Sequence, residues 1–483
     1  MRSLPIFFLV LSLATCMPSE DQDGTKPNVI VILTDDQGWG DFGFHQNDFI
    51  DTPNLDWLAE NGVEFTQFYV SPVCAPTRAS LLTGRYHLAT GTSWVTHRQE
   101  VMNQSEYTLA EMFRSAGYRT GLFGKWHNGK QFPHDPNGQG FDTFVGFTDG
   151  HLNNYFDSPI QYNQEKRVSK GYMPDILTEE AIAFTEAASP FFAYLSFNTP
   201  HSPFQVPDQY FDKYIKRGFD DRTASIYGMV ENIDDNVGKL LKALKASGKE
   251  EETIVIFLTD NGPNGYRYNG DFRGIKSHVD EGGVRVPLLI RYPAKSWDDG
   301  SKRKALAAHI DLMPTLAELL GIELPEGREI HGRSLMADLA QSTEPVSRFF
   351  FTHQVIRKFD TIPGAVRNER YLLTLKPDQK AFYDLQNDPE QKNDIKAMHP
   401  ALVAEFEAAY AQWFKGITKG GISPEPIELG HKAAPLVELP APDLSLKTEL
   451  QFAGGEGWAN DWLIGYQLIT SYMAAKMRSD LNL

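Results

Sequence analysis

An α/β sandwich around a central, mostly parallel sheet is the fold class this sequence predicts, and three features carry that prediction. The runs Asn28-Val29-Ile30-Val31-Ile32-Leu33 and Thr253-Ile254-Val255-Ile256-Phe257-Leu258 are almost wholly apolar and rich in β-branched residues, the pattern of strands buried on both faces of a parallel sheet. Both end abruptly in polar residues, Thr34-Asp35-Asp36 and Thr259-Asp260-Asn261-Gly262. Between them helix and strand patterns alternate, as crossover connections require.

Taken in order, Thr52-Pro53 can cap and open a helix that closes at Asn61-Gly62, and a helix over residues 108–116 closes at Gly117 before a strand over 118–123. Residues 191–197 read as another buried strand, leading into Asn198-Thr199-Pro200-His201. The longest helix runs from about 222 to 246, with Ile226, Met229, Val230, Ile233, Val237, Leu240, Leu241 and Leu244 at helical spacing and Gly248 as its stop. A strand over 284–291 and an amphipathic helix over 311–320 follow. Beyond about 345 the short strands 349–352, 371–375 and 381–385, then a helix over 400–414, predict a small antiparallel sheet with a helix on it. From about 420 the chain is rich in Pro and Leu, without clear periodicity until 458–477. No internal repeat is present.

With 483 residues and 41% apolar content the chain can bury a large core, in two or three structural units. A net charge of −17 argues against nucleic acid as a partner, so attraction for an anionic substrate must come from a local pocket of Lys, Arg, His or metal. Met1-Arg2 and the apolar run 4–14 read as a secretory signal, too short to span a bilayer. Leu13-Ala14-Thr15-Cys16 resembles a bacterial lipobox, so a lipid anchor on Cys16 is expected, with plain cleavage nearby as the alternative. The expected location is the periplasm or the outer-membrane surface of a bacterium. With Cys16 spent, Cys74 is the other cysteine and has no disulfide partner.

Asp35, Asp36, Asp260 and Asn261 form a hard-oxygen set at two strand ends, where open α/β sheets place ligands. Three carboxylates brought together repel, and a cation relieves that repulsion. Oxygen ligands favour calcium or magnesium over zinc or copper, and a crowded carboxylate cage suits calcium. Taken singly, Asp-Asp or Asp-Asn-Gly after a strand is only a turn.

A lone cysteine is usually a small buried hydrophobe, but the neighbours of Cys74 reverse that reading. Cys74-Ala75-Pro76-Thr77-Arg78, followed by Thr83-Gly84, resembles the C-x-P-x-R signature of the formylglycine-dependent type I sulfatases. In that family a maturation enzyme oxidises the cysteine to Cα-formylglycine. The physical chemistry agrees: a thiolate is a soft ligand ill-matched to calcium, whereas a hydrated aldehyde offers two oxygens, one to bind metal and attack and one to release sulfate afterwards. Gly124-Lys125-Trp126-His127-Asn128-Gly129 is similar to the family's G-K-W-H-x-G, which implies that Lys125 holds sulfate and His127 takes the geminal hydroxyl proton. Asn128 stands where Leu is common. Thr199-Pro200-His201-Ser202-Pro203 resembles T-P-H-x-P, whose His protonates or orients the leaving oxygen. Gly274-Ile275-Lys276 and the run from Glu281 to Pro287 resemble the family's second sulfate-binding lysine and its E-G-G-x-R-x-P. The segment from Tyr383 to Glu390 is similar to a late family motif and reads as structural.

The resemblance covers residues 27 to about 393 and implies an alkaline-phosphatase-like α/β/α sandwich. The expected organisation is a signal over 1–16, a catalytic domain over 27–345, a C-terminal α/β subdomain over 346–415 and an extension of no assigned role over 416–483. It also implies sulfate monoester hydrolysis on a sulfated carbohydrate, with Arg78, Lys125, His127, His201, Lys276 and Cys74 as the catalytic set. The implied calcium ligands are Asp35, Asp36, Cys74, Asp260 and Asn261. A phosphate or phosphonate monoester hydrolase of the same superfamily, and a catalytically silent glycan-binding surface protein, are the alternatives.

Overall fold

The computed structural model describes residues 26–341, 347–355 and 359–422, the short stretches 425–426 and 432, and the strand fragments Gln451–Phe452 and Leu463–Ile464. The expected signal and lipobox over 1–16, and all of the periodic stretch 458–477 except that last fragment, lie outside the described residues.

The main sheet has eleven strands. In chain order they are β1 (Asn28–Thr34), β2 (Val63–Tyr69), β3 (Arg119–Lys125), β4 (Thr143–Phe147), β5 (Pro159–Tyr162), β6 (Glu165–Val168), β7 (Phe191–Ser196), β8 (Thr253–Thr259), β9 (Arg285–Arg291), β10 (Lys302–Arg303) and β11 (Ala307–Ala308). Their spatial order is β10-β2-β9-β8-β1-β7-β3-β4-β5-β6, with β11 also on β2. The stretch β8-β1-β7-β3-β4 is parallel throughout, whereas β9 runs antiparallel to both its neighbours and β4-β5-β6 is an antiparallel edge.

Side-chain alternation along β1 explains its unbroken apolar run. Val29, Val31 and Leu33 enter one core with Leu81, Met112, Phe113 and Leu316, while Ile30 and Ile32 enter the other with Leu177, Met229, Ile233 and Val237. Each such fully buried side chain contributes roughly 1.5–3 kcal/mol relative to exposure. The layers are thus helix, sheet and helix, and the long helix Asp221–Ala246, capped by the Asp220 carboxylate on the amides of Arg222 and Thr223, forms much of one outer layer.

Local expectations needed two corrections. Thr52 occupies the N-cap position of the helix Pro53–Glu60, but its side chain does not cap an amide of the first turn; its hydroxyl accepts from the Gly43 amide and donates to Asp56. The strand expected over 284–291 begins at Arg285, because Glu281–Val284 forms a helical turn.

The second sheet is antiparallel, in the order β12 (Phe350–His353), β13 (Gly364–Arg367), β14 (Tyr371–Lys376), β15 (Gln379–Asp384). Helix Pro400–Ile417 covers one face, burying Phe406 and Tyr410 against Val366, Leu373 and Phe382. The two sheets are joined through Glu281. This buried carboxylate pairs with the fully buried Arg367 of β13 and accepts from Tyr69 Oη of β2 at 3.1 Å, and its amide donates to Gln391 Oε1 at 2.8 Å. The late motif and the residue after it meet this corner: Tyr383 Oη lies 3.1 Å from Arg273, and Gln391, directly after the motif, accepts from the Glu281 amide.

Candidate active site

The parallel register brings the singled-out residues to one edge. Leu33 of β1 pairs with Leu258 of β8 and with Ser196 of β7, and Ser196 pairs with Gly124 of β3. The ends of these neighbouring strands and the segments leaving them carry Asp35 and Asp36, Asp260 and Asn261, His201, and Lys125 with His127. All of these except His201 are buried, and His201 is half-buried.

Cys74 opens the helix Cys74–Thr83, an element the sequence reading took only as a motif. Pro76 is tolerated there because first-turn amides have no intrahelical acceptor, and Gly84 ends the helix at φ 67° in the left-handed region. Thr77 ties the preceding loop to the helix, accepting from the Ser71 amide at 3.0 Å and donating to the Ser71 carbonyl at 3.1 Å. The amide of Ser277, next to Lys276, donates to the Pro72 carbonyl at 2.9 Å. The thiol lies where its sulfur, an Asp35 oxygen and an Asp260 oxygen are all within 4.8 Å of one another. Burial pushes the thiol pKa up despite Lys125 and Lys276 nearby.

The carboxylates are partly neutralised by protein cations. Lys125 Nζ lies 2.6 Å from Asp35 Oδ2, Lys276 Nζ 2.5 Å from Asp36 Oδ1, and Arg78 reaches Asp260 Oδ2 through Nη2 at 2.8 Å and Nε at 3.2 Å. Arg78 Nη1 also donates to Ser196 Oγ at 2.6 Å and to the Lys125 carbonyl at 3.0 Å, so one buried guanidinium binds the ends of β3, β7 and β8 together. Burial alone would raise Asp35, but Lys125, His201, Arg78 and Lys276 hold it well below the usual carboxylate range. Burial likewise opposes Asp36, and Lys276 and His201 outweigh it. Asp260 is pushed up to about 7 by burial and the Asp35 charge, against the pull of Arg78.

Of the side-chain oxygens of Asp35, Asp36, Asp260 and Asn261, three are buried without a hydrogen-bond partner among the described residues: Asp35 Oδ1, Asp36 Oδ2 and Asn261 Oδ1. Orphaned buried acceptors are costly, and three hard oxygens in one cleft fit an oxygen-seeking divalent cation. Asn261 is oriented for this, since its Nδ2 donates to Asp36 Oδ1 at 2.8 Å and to the Gly262 carbonyl at 3.0 Å, leaving Oδ1 free. Asp36 is held at φ 65°, with its carbonyl accepting from Arg267 Nη2 at 3.0 Å.

The two histidines have defined tautomers. His127 Nε2 is 2.9 Å from the Val95 carbonyl, so that nitrogen carries the proton; Nδ1 is buried with no hydrogen-bond partner among the described residues. Burial, then Lys125, lowers the His127 pKa well below its ordinary value, which keeps Nδ1 an acceptor. His201 Nδ1 donates to the Ser202 carbonyl at 2.6 Å, which turns Nε2 toward Asp36 Oδ2 at 3.7 Å. Burial and Lys276 lower the His201 pKa, with Asp36 opposing. Two neighbours of these rings carry no local sequence signal. Gly150 packs on His127, and the His151 ring stacks on His201 with centroids 5.8 Å apart.

Fold and site together define an α/β/α protein with a buried cleft that suits a hard cation beside an anion. A family model described as Sulfatase matches residues 27–322, and one described as N-sulphoglucosamine sulphohydrolase, C-terminal, matches residues 275–408. The chain belongs to the sulfatase family of sulfuric ester hydrolases. It is 32% identical over 349 residues to N-acetylgalactosamine-6-sulfatase of Mus musculus, covering 64% of this chain and 65% of that protein's length. It is 31% identical over 430 residues to an ulvan-active sulfatase of Formosa agariphila, covering 81% and 82% of the two chains. The crystal structure of Ps i-CgsB in complex with k-i-k-neocarrahexaose superposes with a TM-score of 0.75 at 28% identity, covering 80% of this chain and 92% of that one.

Proposed function

We propose that this protein hydrolyses sulfate monoesters on a carbohydrate, with Cys74 matured to formylglycine and a calcium ion in the cleft. The observation that carries the reading is the meeting of Cys74, the orphaned oxygens of Asp35, Asp36 and Asn261, and the ammonium groups of Lys125 and Lys276 in one buried cleft. The ulvan-active and galactosamine sulfatases among its relatives support a carbohydrate substrate.

Asp35, Asp36, Asp260 and Asn261 would hold the cation, which would supply electrophilic stabilisation of sulfate and of the oxygen nucleophile at residue 74. Lys125 and Lys276, whose ammonium groups face Asp35 and Asp36 across the cleft, would bind sulfate oxygens. His127 accepts a proton at Nδ1, because the Val95 carbonyl fixes the other nitrogen as a donor. His201 presents Nε2 to the leaving oxygen; its depressed pKa means that it donates when the substrate's negative charge favours the imidazolium. Arg78 binds protein groups on three strand ends, so its role is to hold the cleft. Export with a lipid on Cys16 places the enzyme where extracellular polysaccharide is met; this part of the proposal is supported by the sequence of residues 1–16.

The test is a panel of defined sulfated oligosaccharides beside an aryl sulfate and an aryl phosphate, assayed with matured protein. Release of sulfate from a carbohydrate is expected, with the aryl phosphate turned over far more slowly. Preference for the phosphate would favour a phosphate or phosphonate monoester hydrolase.

A further inference from the structure

The loop over residues 92–104 supplies the Val95 carbonyl that sets the His127 tautomer, and a residue of the C-terminal extension holds that loop. Within the loop, the amides of Ser93 and Trp94 donate to the Gln99 carbonyl at 2.8 and 3.1 Å, closing a tight turn around Val95. His97 and Arg98 in this turn both adopt left-handed backbone, at φ 59° and 63°. Side chains other than glycine reach that region at a cost, so the surroundings must impose the conformation.

Among the described contacts, two sets hold the loop. On the inner side, Asn128 Nδ2 donates to the Glu100 carbonyl at 3.2 Å and to the Ala75 carbonyl at 3.1 Å, and the Asn128 carbonyl accepts from the Met102 amide at 3.1 Å. On the outer side stands Glu425. Its carbonyl accepts from Arg98 Nη2, and its carboxylate accepts from the Gln104 amide at 2.9 Å and lies 3.7 Å from His134 Nε2. His134 is itself built into the site's frame: Nδ1 donates to the Met102 carbonyl at 2.9 Å, and its own carbonyl accepts from Trp126 Nε1 at 2.9 Å, between Lys125 and His127.

We infer that Glu425 is a positioning residue for the sulfatase reaction: it staples the turn at Arg98 to the loop exit at Gln104, and so fixes the Val95 carbonyl against His127. This inference rests on the proton-accepting role proposed for His127.

Hydrogen exchange and steady-state kinetics on full-length Glu425→Ala and Glu425→Gln test it. The glutamine oxygen can still accept from the Gln104 amide, so Glu425→Gln should resemble wild type in both measurements. In Glu425→Ala the backbone carbonyl that meets Arg98 stays while the carboxylate that holds the Gln104 amide is lost, so the staple opens at one end and the amides of residues 93–104 should exchange about tenfold faster. Its kcat on a small aryl sulfate should fall about tenfold, with KM within about twofold, because a displaced His127 impairs proton transfer more than binding. Unchanged exchange in Glu425→Ala, or faster exchange with unchanged kcat, overturns the inference. Should wild-type protein turn over no sulfate ester, the proposed function falls instead, and the exchange comparison still decides whether Glu425 holds the loop.

Discussion

Gly150 lies so close to His127 that a Cβ built on it would stand 2.5 Å from the imidazole Nε2 and 2.7 Å from Cε1. The ring cannot yield freely, because Nε2 is committed to the Val95 carbonyl. Gly150→Ala should therefore push His127 aside. Displacement of a reacting group by about 1 Å can cost about 10²-fold in rate. A loss of that order in kcat, with an unaltered circular dichroism spectrum, is expected; full activity would show that the ring has room to move or takes no part.

The orphaned oxygens predict a cation that stabilises the fold as well as supporting turnover. Calcium should raise the melting temperature of chelator-treated protein in a concentration-dependent way, since a ligand bound only by the native state stabilises it by mass action. Zinc should do so less effectively, given the oxygen ligands. Asp36→Ala should remove both the calcium-induced shift and the activity. Because Asp260 titrates at about 7, calcium affinity should weaken as pH falls below that value and a proton competes for the carboxylate. A calcium response that survives Asp36→Ala would place the ion elsewhere.

Much of this site was legible because its carriers are local. The β1 and β8 runs announce buried strands, and the carboxylates stand directly at their ends, so the parallel pairing of Leu33 with Leu258 was enough to bring Asp35 and Asp260 together. The expected repulsion among the carboxylates was incomplete as an argument, since Lys125, Lys276 and Arg78 offset it from distant positions. What stayed hidden depends on long-range pairing. The direction of β9 is set by neighbours on both sides, the four-residue β13 is too short to show a period, and Arg367 has no local sign that it meets Glu281. The Cys74 helix was obscured by its own motif, although Pro76 near its start and Gly84 after its end were helix punctuation.

Three buried histidines away from the cleft predict how stability depends on pH. Burial holds His87 and His309 at about 3 and His353 at about 4 in the folded protein. In the unfolded chain each returns to about 6.5. The unfolded state therefore takes up protons first as pH falls, so the stability they confer is complete above 6.5 and is lost between 6.5 and about 3 for His87 and His309, and between 6.5 and about 4 for His353. Each should contribute a slope on the order of 1 kcal/mol per pH unit in that window. His309→Gln keeps a group able to meet Ser71 Oγ, which lies 3.2 Å from His309 Nε2, and removes one titration. Urea unfolding at pH 7 and pH 5 should show a smaller loss for this variant than for wild type; equal losses would mean that His309 does not titrate between the states.

The prediction with the most at stake concerns Cys74. Its thiol is buried, its pKa is raised, and it stands among hard oxygens where a soft sulfur ligand is poorly matched to calcium. Protein produced with a competent maturation enzyme should show, in the peptide spanning Cys74, the mass loss for replacement of CH₂SH by CHO, and should react with hydrazide probes. Cys74→Ala and Cys74→Ser should each lose activity by about 10³-fold or more, since alanine offers no nucleophile and serine offers one hydroxyl where attack and release need two. Both variants should fold, because residue 74 is the first of its helix and neither change adds a charge or much bulk to the cleft. Their melting temperatures separate loss of chemistry from loss of structure. An unmodified thiol at position 74 in fully active enzyme would overturn the mechanism at its first step.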